Sequence, residues 1–146
     1  MEKKLTIELV PQTCWYSNVR SNVSTKDWDI LRKTSYSKAD YKCKICGDKG
    51  TAHPVECHEI WEYDDKNHIQ KLIGLVSLCP RCHEVKHIGL AQIRGREDQA
   101  IEQLMRVNKI SLLEARQMIS KAFDVWQRRS TYDWTLNIDL LKVLLK

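Results

Sequence analysis

Residues 77–87 read SLCPRCHEVKH, so Cys79 and Cys82 stand two residues apart and His83 and His87 come next, four apart. Thiolates and imidazoles are the side chains best suited to transition metals, and thiolates favour the softer ones. A second pair, Cys43-x-x-Cys46, lies upstream with 32 residues between Cys46 and Cys79. Two such knuckles predict a closed tetrahedral zinc whose role is structural, because four thiolates leave no coordination position for a substrate. A pair of redox motifs would want a βαβ setting, which the surrounding sequence does not offer. In a small loop-rich region, zinc would stabilise the fold directly.

With the cysteines so used, His83 and His87 are spare. Positions i and i+4 share one face of a helix, so both imidazoles point the same way and present two donors to a divalent cation. A third donor is expected from the first hairpin strand, in Glu56-Cys57-His58-Glu59-Ile60.

Pattern predicts the elements that must position these groups. Leu5 to Val10 alternates apolar and polar, which predicts a half-buried strand ended by Pro11. Ser24 and Thr25 are caps for a helix over about 26–38, with Trp28 and Leu31 on one face. A hairpin is predicted over 51–78, with strands Val55 to Trp61 and Lys71 to Leu78 joined by the polar EYDDKNH. Pro80 suits the first turn of a helix carrying Cys82 to Val85. Gly89 and Gly95 loosen the next segment, and a helix over about 96–107 stops near Asn108. Ser111-x-x-Glu114 is a capping box for a strongly periodic helix, whose stripe (Leu112, Ala115, Ile119, Ala122, Phe123, Trp126) predicts core packing. The tail WTLNIDLLKVLL suits a short strand and then a helical turn.

At 146 residues, with 42% hydrophobic and 29% charged residues, one soluble domain is expected. It divides into an N-terminal strand and helix (1–42), a metal-bearing core (43–94) and a helical extension (95–146). No apolar run approaches the ~20 residues of a membrane helix, and MEKKLTIELV lacks the features of a signal peptide, so an intracellular location is expected. Six cysteines in such a chain point to metal rather than disulfides. The net charge of +5 is uneven: residues 1–50 carry ten Lys/Arg against six Asp/Glu, 51–105 six against nine, and 106–146 eight against four. An acidic, histidine-bearing middle between basic flanks suits a metal site acting on a polyanion.

The stretches CKIC (43–46), CHEIW (57–61) and LVSLCPRCHEVKH (75–87) resemble the HNH endonuclease superfamily in its zinc-stapled ββα-metal branch. TCWYSNVR, HEIWEYDD, VWQRRS and WTLNID are similar to small bacterial and phage HNH-like proteins. The resemblance implies an α+β fold with a ββα-metal core, braced by zinc on Cys43, Cys46, Cys79 and Cys82. It implies a DNA endonuclease in which a second divalent metal (Mg²⁺, Mn²⁺, Ni²⁺ or Zn²⁺) holds the scissile phosphate while a base on the first strand activates water.

The resemblance allows two assignments of the base. If Cys57-His58 is the family's pair, His58 is the base and Cys57 takes the ligand position; if His58-Glu59 is, then His58 joins His83 and His87 on the metal and Glu59 is the base. The second makes the more coherent donor set. The family's Asn, five residues before the second C-x-x-C, is here Gly74, with Asn67 and His68 the nearest polar substitutes. That departure favours the alternative of an inactive HNH-like zinc module binding DNA or a protein. Arg94 and Arg96 are candidate phosphate contacts. Arg20 with Trp15 and Tyr16 is read as packing, Arg128-Arg129 as complementing a helix dipole, and His53 and Asp64-Asp65 as loop residues.

Overall fold

Ser24 opens the first helix, its hydroxyl accepting from the Asp27 amide, a cap worth about 1 kcal/mol. The computed structural model describes residues 4–15, 18–49 and 54–146. Its elements are α1 (Thr25–Lys38), β1 (Glu56–Asp64), β2 (Ile69–Leu78), α2 (Pro80–Lys86), α3 (Ile88–Ile93), α4 (Glu97–Asn108), α5 (Leu112–Arg129), β3 (Thr135–Asn137) and α6 (Leu141–Leu144). This is an α+β fold with one three-stranded sheet, in the order β1-β2-β3. Tyr16 and His53 lie outside the described residues.

β1 and β2 form the antiparallel hairpin, longer than expected because pairing continues to Asp64↔Ile69. Asp64 Oδ1 accepts from the Lys66 and Asn67 amides and closes the turn, and His68 comes after it at φ 54°. The register slips once: Ile60 faces Gly74 and Trp61 faces Leu72, so Ile73 bulges out of the pairing. β3 then adds in parallel beside β2, pairing Ile69 with Thr135, and leaves β1 at the edge of the sheet.

The pleat divides the hairpin between two cores. Val76 and Leu78 face a cluster built with Val85, Ile88, Leu104, Ala115 and Ile119 of the helices. Leu72 and Leu75 face the other, with Leu31, Trp28 and Leu141. His58 pairs with Val76 on the first side and Cys57 with Ser77 on the second, where Ser77 meets Ser35 of α1 at 2.8 Å.

Pro80 starts α2 as expected, and Cys79 caps it by accepting from the Cys82 amide. Ser111 and Glu114 form a complete capping box on α5. The stripe on α5 only partly packs the core: Ala115 and Ile119 are buried, Leu112 is exposed, and Phe123 and Trp126 line a cavity.

The expected strand over residues 5–10 is absent. Asn108 takes its place as partner, its Oδ1 accepting from the Leu5 amide at 2.9 Å and its Nδ2 donating to the Leu5 carbonyl at 2.7 Å. Leu5 is fully buried, with Ile7 and Leu9 packed against the same cluster. The alternation therefore reports burial on a helical core, with no neighbouring strand.

Candidate metal centre

Two donor sets meet on α2. Cys43, Cys46, Cys79 and Cys82 form one, and His58, His83 and His87 the other; within each set the donor atoms lie within 4.8 Å of one another.

The cysteines converge because each knuckle folds its backbone onto its own sulfurs. The Ile45 and Cys46 amides donate to Cys43 Sγ, the Asp48 amide to Cys46 Sγ, and the Cys82 amide to Cys79 Sγ. Lys44 N–H binds the Ser77 carbonyl, joining the first knuckle to the end of β2. A contact from Cys82 pulls the Cys43 thiol down to about 4, while burial pushes Cys46 up to about 11. Four sulfurs brought this close together, three of them buried, fit a metal ion such as zinc.

Sequence reasoning overlooked one residue here. Gln103 of α4, 1% exposed, donates from Nε2 to Cys82 Sγ at 3.3 Å. Its Oε1 accepts from Arg106, which also reaches Asp48 in the first knuckle. The available signal was a glutamine on the apolar face of α4 with Ala100 and Leu104.

The histidines share one face as expected. The His87 amide binds the His83 carbonyl at 3.2 Å, so the i, i+4 relation survives to the end of α2. Ring centroids lie 4.7 Å apart for His83–His87, 5.1 Å for His58–His83 and 5.3 Å for His58–His87. His83 and His87 bring Nε2 atoms within 3.1 Å. His83 turns its other nitrogen, Nδ1, to Glu56 Oε1 at 3.1 Å. A carboxylate on the far nitrogen fixes ring orientation and raises donor strength. Glu56 was legible as the strand neighbour two positions before His58 on the same face. Burial, followed by the neighbouring imidazoles, lowers His58 to about 3 and likewise holds His87 near 4. The two rings are thus neutral donors at ordinary pH.

Glu59 rises from the opposite face of β1, yet it lines the same cavity of about 1010 Å³ as the three histidines. An edge strand permits this, since groups from both its faces reach the space beside its free edge. Glu59 Oε1 accepts from the Val19 amide at 2.9 Å, and burial raises its pKa against the pull of the Val19, Trp61 and Arg20 hydrogen bonds. Cys57, on that same face, stands apart from the histidine set, its thiol pushed by burial to about 11.

No family model, curated protein or solved structure matches the chain.

The remaining candidates have other work or other places. Arg96 is engaged by Glu84 through contacts of 2.6 and 3.2 Å, and neither it nor Arg94 lines the cavity. Arg129 holds Asp65 with two hydrogen bonds and lies over the Tyr63 ring, so it ties α5 to the hairpin tip. Asn67 serves the turn through Asp64, and His68 stacks on Tyr132 at 4.2 Å; both belong to the far end of the hairpin. A side chain at Gly74 would meet Ile60 at an ordinary 3.6 Å.

Proposed function

We propose that the protein is a metal-dependent phosphodiesterase of HNH type that cleaves DNA. The observation that carries this reading is the convergence of His58, His83 and His87, backed by Glu56 on His83, within an open cavity. Three converging imidazoles would hold a divalent transition ion and leave coordination positions for phosphate and water. An ion held there would supply positive charge to a scissile phosphate and acidify a bound water.

The chain's own groups do the rest. His58 is a ligand in this scheme, which removes it from the role of base. Glu59 takes the proton of the attacking water, reaching the cavity from the other side of the edge strand. Its carboxylate is oriented by the Val19 amide. A zinc on Cys43, Cys46, Cys79 and Cys82 would hold the start of α2, and with it the spacing of His83 and His87 from β1. The basic flanks raise the local concentration of a polyanion.

A non-catalytic DNA- or protein-binding module is the second reading. Gly74, which brings no side chain to the middle motif, and the engagement of Glu59 with a backbone amide favour it. Supercoiled plasmid incubated with zinc-loaded protein and Mg²⁺, Mn²⁺ or Ni²⁺ separates the two. Nicking is expected from the native chain and its loss from His83→Ala. Equal nicking by both proteins, or none with any metal, overturns the enzymatic reading.

A further inference from the structure

The cavity beside the histidines carries an aromatic shelf that the metal chemistry leaves unexplained. Trp15 and Trp126 both donate their indole N–H groups to one acceptor, the Val10 carbonyl, at 2.9 and 3.1 Å. Their rings stack with centroids 6.3 Å apart and planes 29° from parallel. Phe123 braces Trp126 edge-on at 6.1 Å. Trp15 nonetheless stays 58% exposed. A tryptophan fixed by its only polar atom and backed by a second indole offers a flat face at little entropic cost. The core gains little from a ring so exposed.

All three rings line the cavity that holds His58, His83 and His87, and Arg20, Lys44 and Lys86 line it too. Lys86 is 8% exposed and its ammonium is bonded to Thr6 and paired with the Glu8 carboxylate, which offsets its charge, so the cationic contribution rests on Arg20 and Lys44. Cationic side chains interleaved with exposed aromatic faces suit a strand whose phosphates and bases are both accessible.

We infer that Trp15, backed by Trp126, stacks an unpaired nucleobase next to the phosphate held at the histidines, so that the substrate is single-stranded or locally unpaired nucleic acid. This rests on the phosphodiesterase reading. Inside a duplex both faces of a base are covered by its neighbours, so a shelf of this kind is reached only by a single strand or an extruded base.

Binding tests this apart from cleavage. Protein carrying one equivalent of zinc and no second metal is titrated into three fluorescein-labelled DNAs, and anisotropy is read. The DNAs are a 12-nucleotide oligothymidylate, a perfect duplex, and the same duplex with one bulged thymidine. The single strand is expected to bind at least about tenfold more tightly than the perfect duplex. Tight binding of the bulged duplex as well assigns the shelf to extruded bases, and its absence to continuous single strands.

Trp15→Ala is expected to lose roughly tenfold in single-strand affinity, and Trp15→Phe to keep most of it. Trp15→Leu separates stacking from apolar bulk, with thermal melting checked for each variant. Single-strand affinity in Trp15→Leu equal to that in Trp15→Phe overturns the inference. So does a perfect duplex bound as tightly as the strand, or self-association in sedimentation that buries the shelf and is broken by Ile93→Asp, a change at an 85% exposed residue of the same cavity lining. If the native chain binds single strands through Trp15 but cleaves nothing with any metal, the hydrolytic reading fails and the shelf stands. If it nicks duplex DNA with no strand preference, the shelf fails alone.

Discussion

The two ends of α2 meet opposite conditions. At its start Cys79 and Cys82 are buried and surrounded by backbone amides, with Gln103 completing the enclosure. At its end His83 and His87 border a wide cavity along an edge strand. One end is closed off by protein; the other opens on a cavity. A helix of seven residues (Pro80–Lys86) cannot bend enough to separate the two, so the closed end sets where the open end points.

Four perturbations test that division, in falling order of effect. The largest is loss of the sulfur site. Cys82→Ser, or zinc removal by chelation, withdraws binding free energy on the order of 10 kcal/mol, and the cooperative thermal transition seen by circular dichroism is expected to vanish. A native-like melt after complete zinc loss would show that the closed end is dispensable.

His83→Ala comes next. It is expected to leave that melt and one bound zinc intact, while removing a second transition metal counted by mass spectrometry and lowering nicking about 1000-fold, as several kcal/mol of charge stabilisation requires. Simultaneous loss of both metals would mean that the ends do not act separately. Glu56→Gln should weaken the second metal by roughly 10- to 100-fold through His83, read by calorimetric titration, with the zinc content unchanged. The smallest effect belongs to Gln103→Met, which keeps the volume and removes one hydrogen bond to sulfur. A destabilisation of about 1 kcal/mol and faster zinc release to a chromogenic chelator are expected, with no change in second-metal affinity.

The same contrast explains what was legible in the sequence. Metal-ligand spacing is local chemistry, so Cys43, Cys46, Cys79, Cys82, His83 and His87 could be grouped before any fold was known, and the structure brings each group together. Caps are equally local, and Ser24, Pro80 and the Ser111–Glu114 box begin helices as expected. Long-range partners were not legible. Alternation over residues 5–10 predicted a strand, because nothing nearby reveals that Asn108, 103 residues from Leu5, supplies the hydrogen bonds. Trp126 was assigned to the core by its place on the α5 stripe, since periodicity finds a helix face without saying whether that face meets protein or solvent. Gln103 was missed for the related reason that a buried polar residue makes sense only once its distant acceptor is known.

The position of β1 at the rim of the sheet has a further consequence, for solubility. An uncovered strand edge invites pairing with another copy of the chain, and natural proteins blunt such edges with charge and bulges. β1 carries Glu56, Glu59, Glu62 and Asp64, and a bulge lies opposite its Ile60–Trp61 step. Glu56 and Glu59, beside the histidines, therefore also help deter aggregation, together with Glu62 and Asp64. Variants that neutralise several of them together should precipitate before they reveal anything about metal.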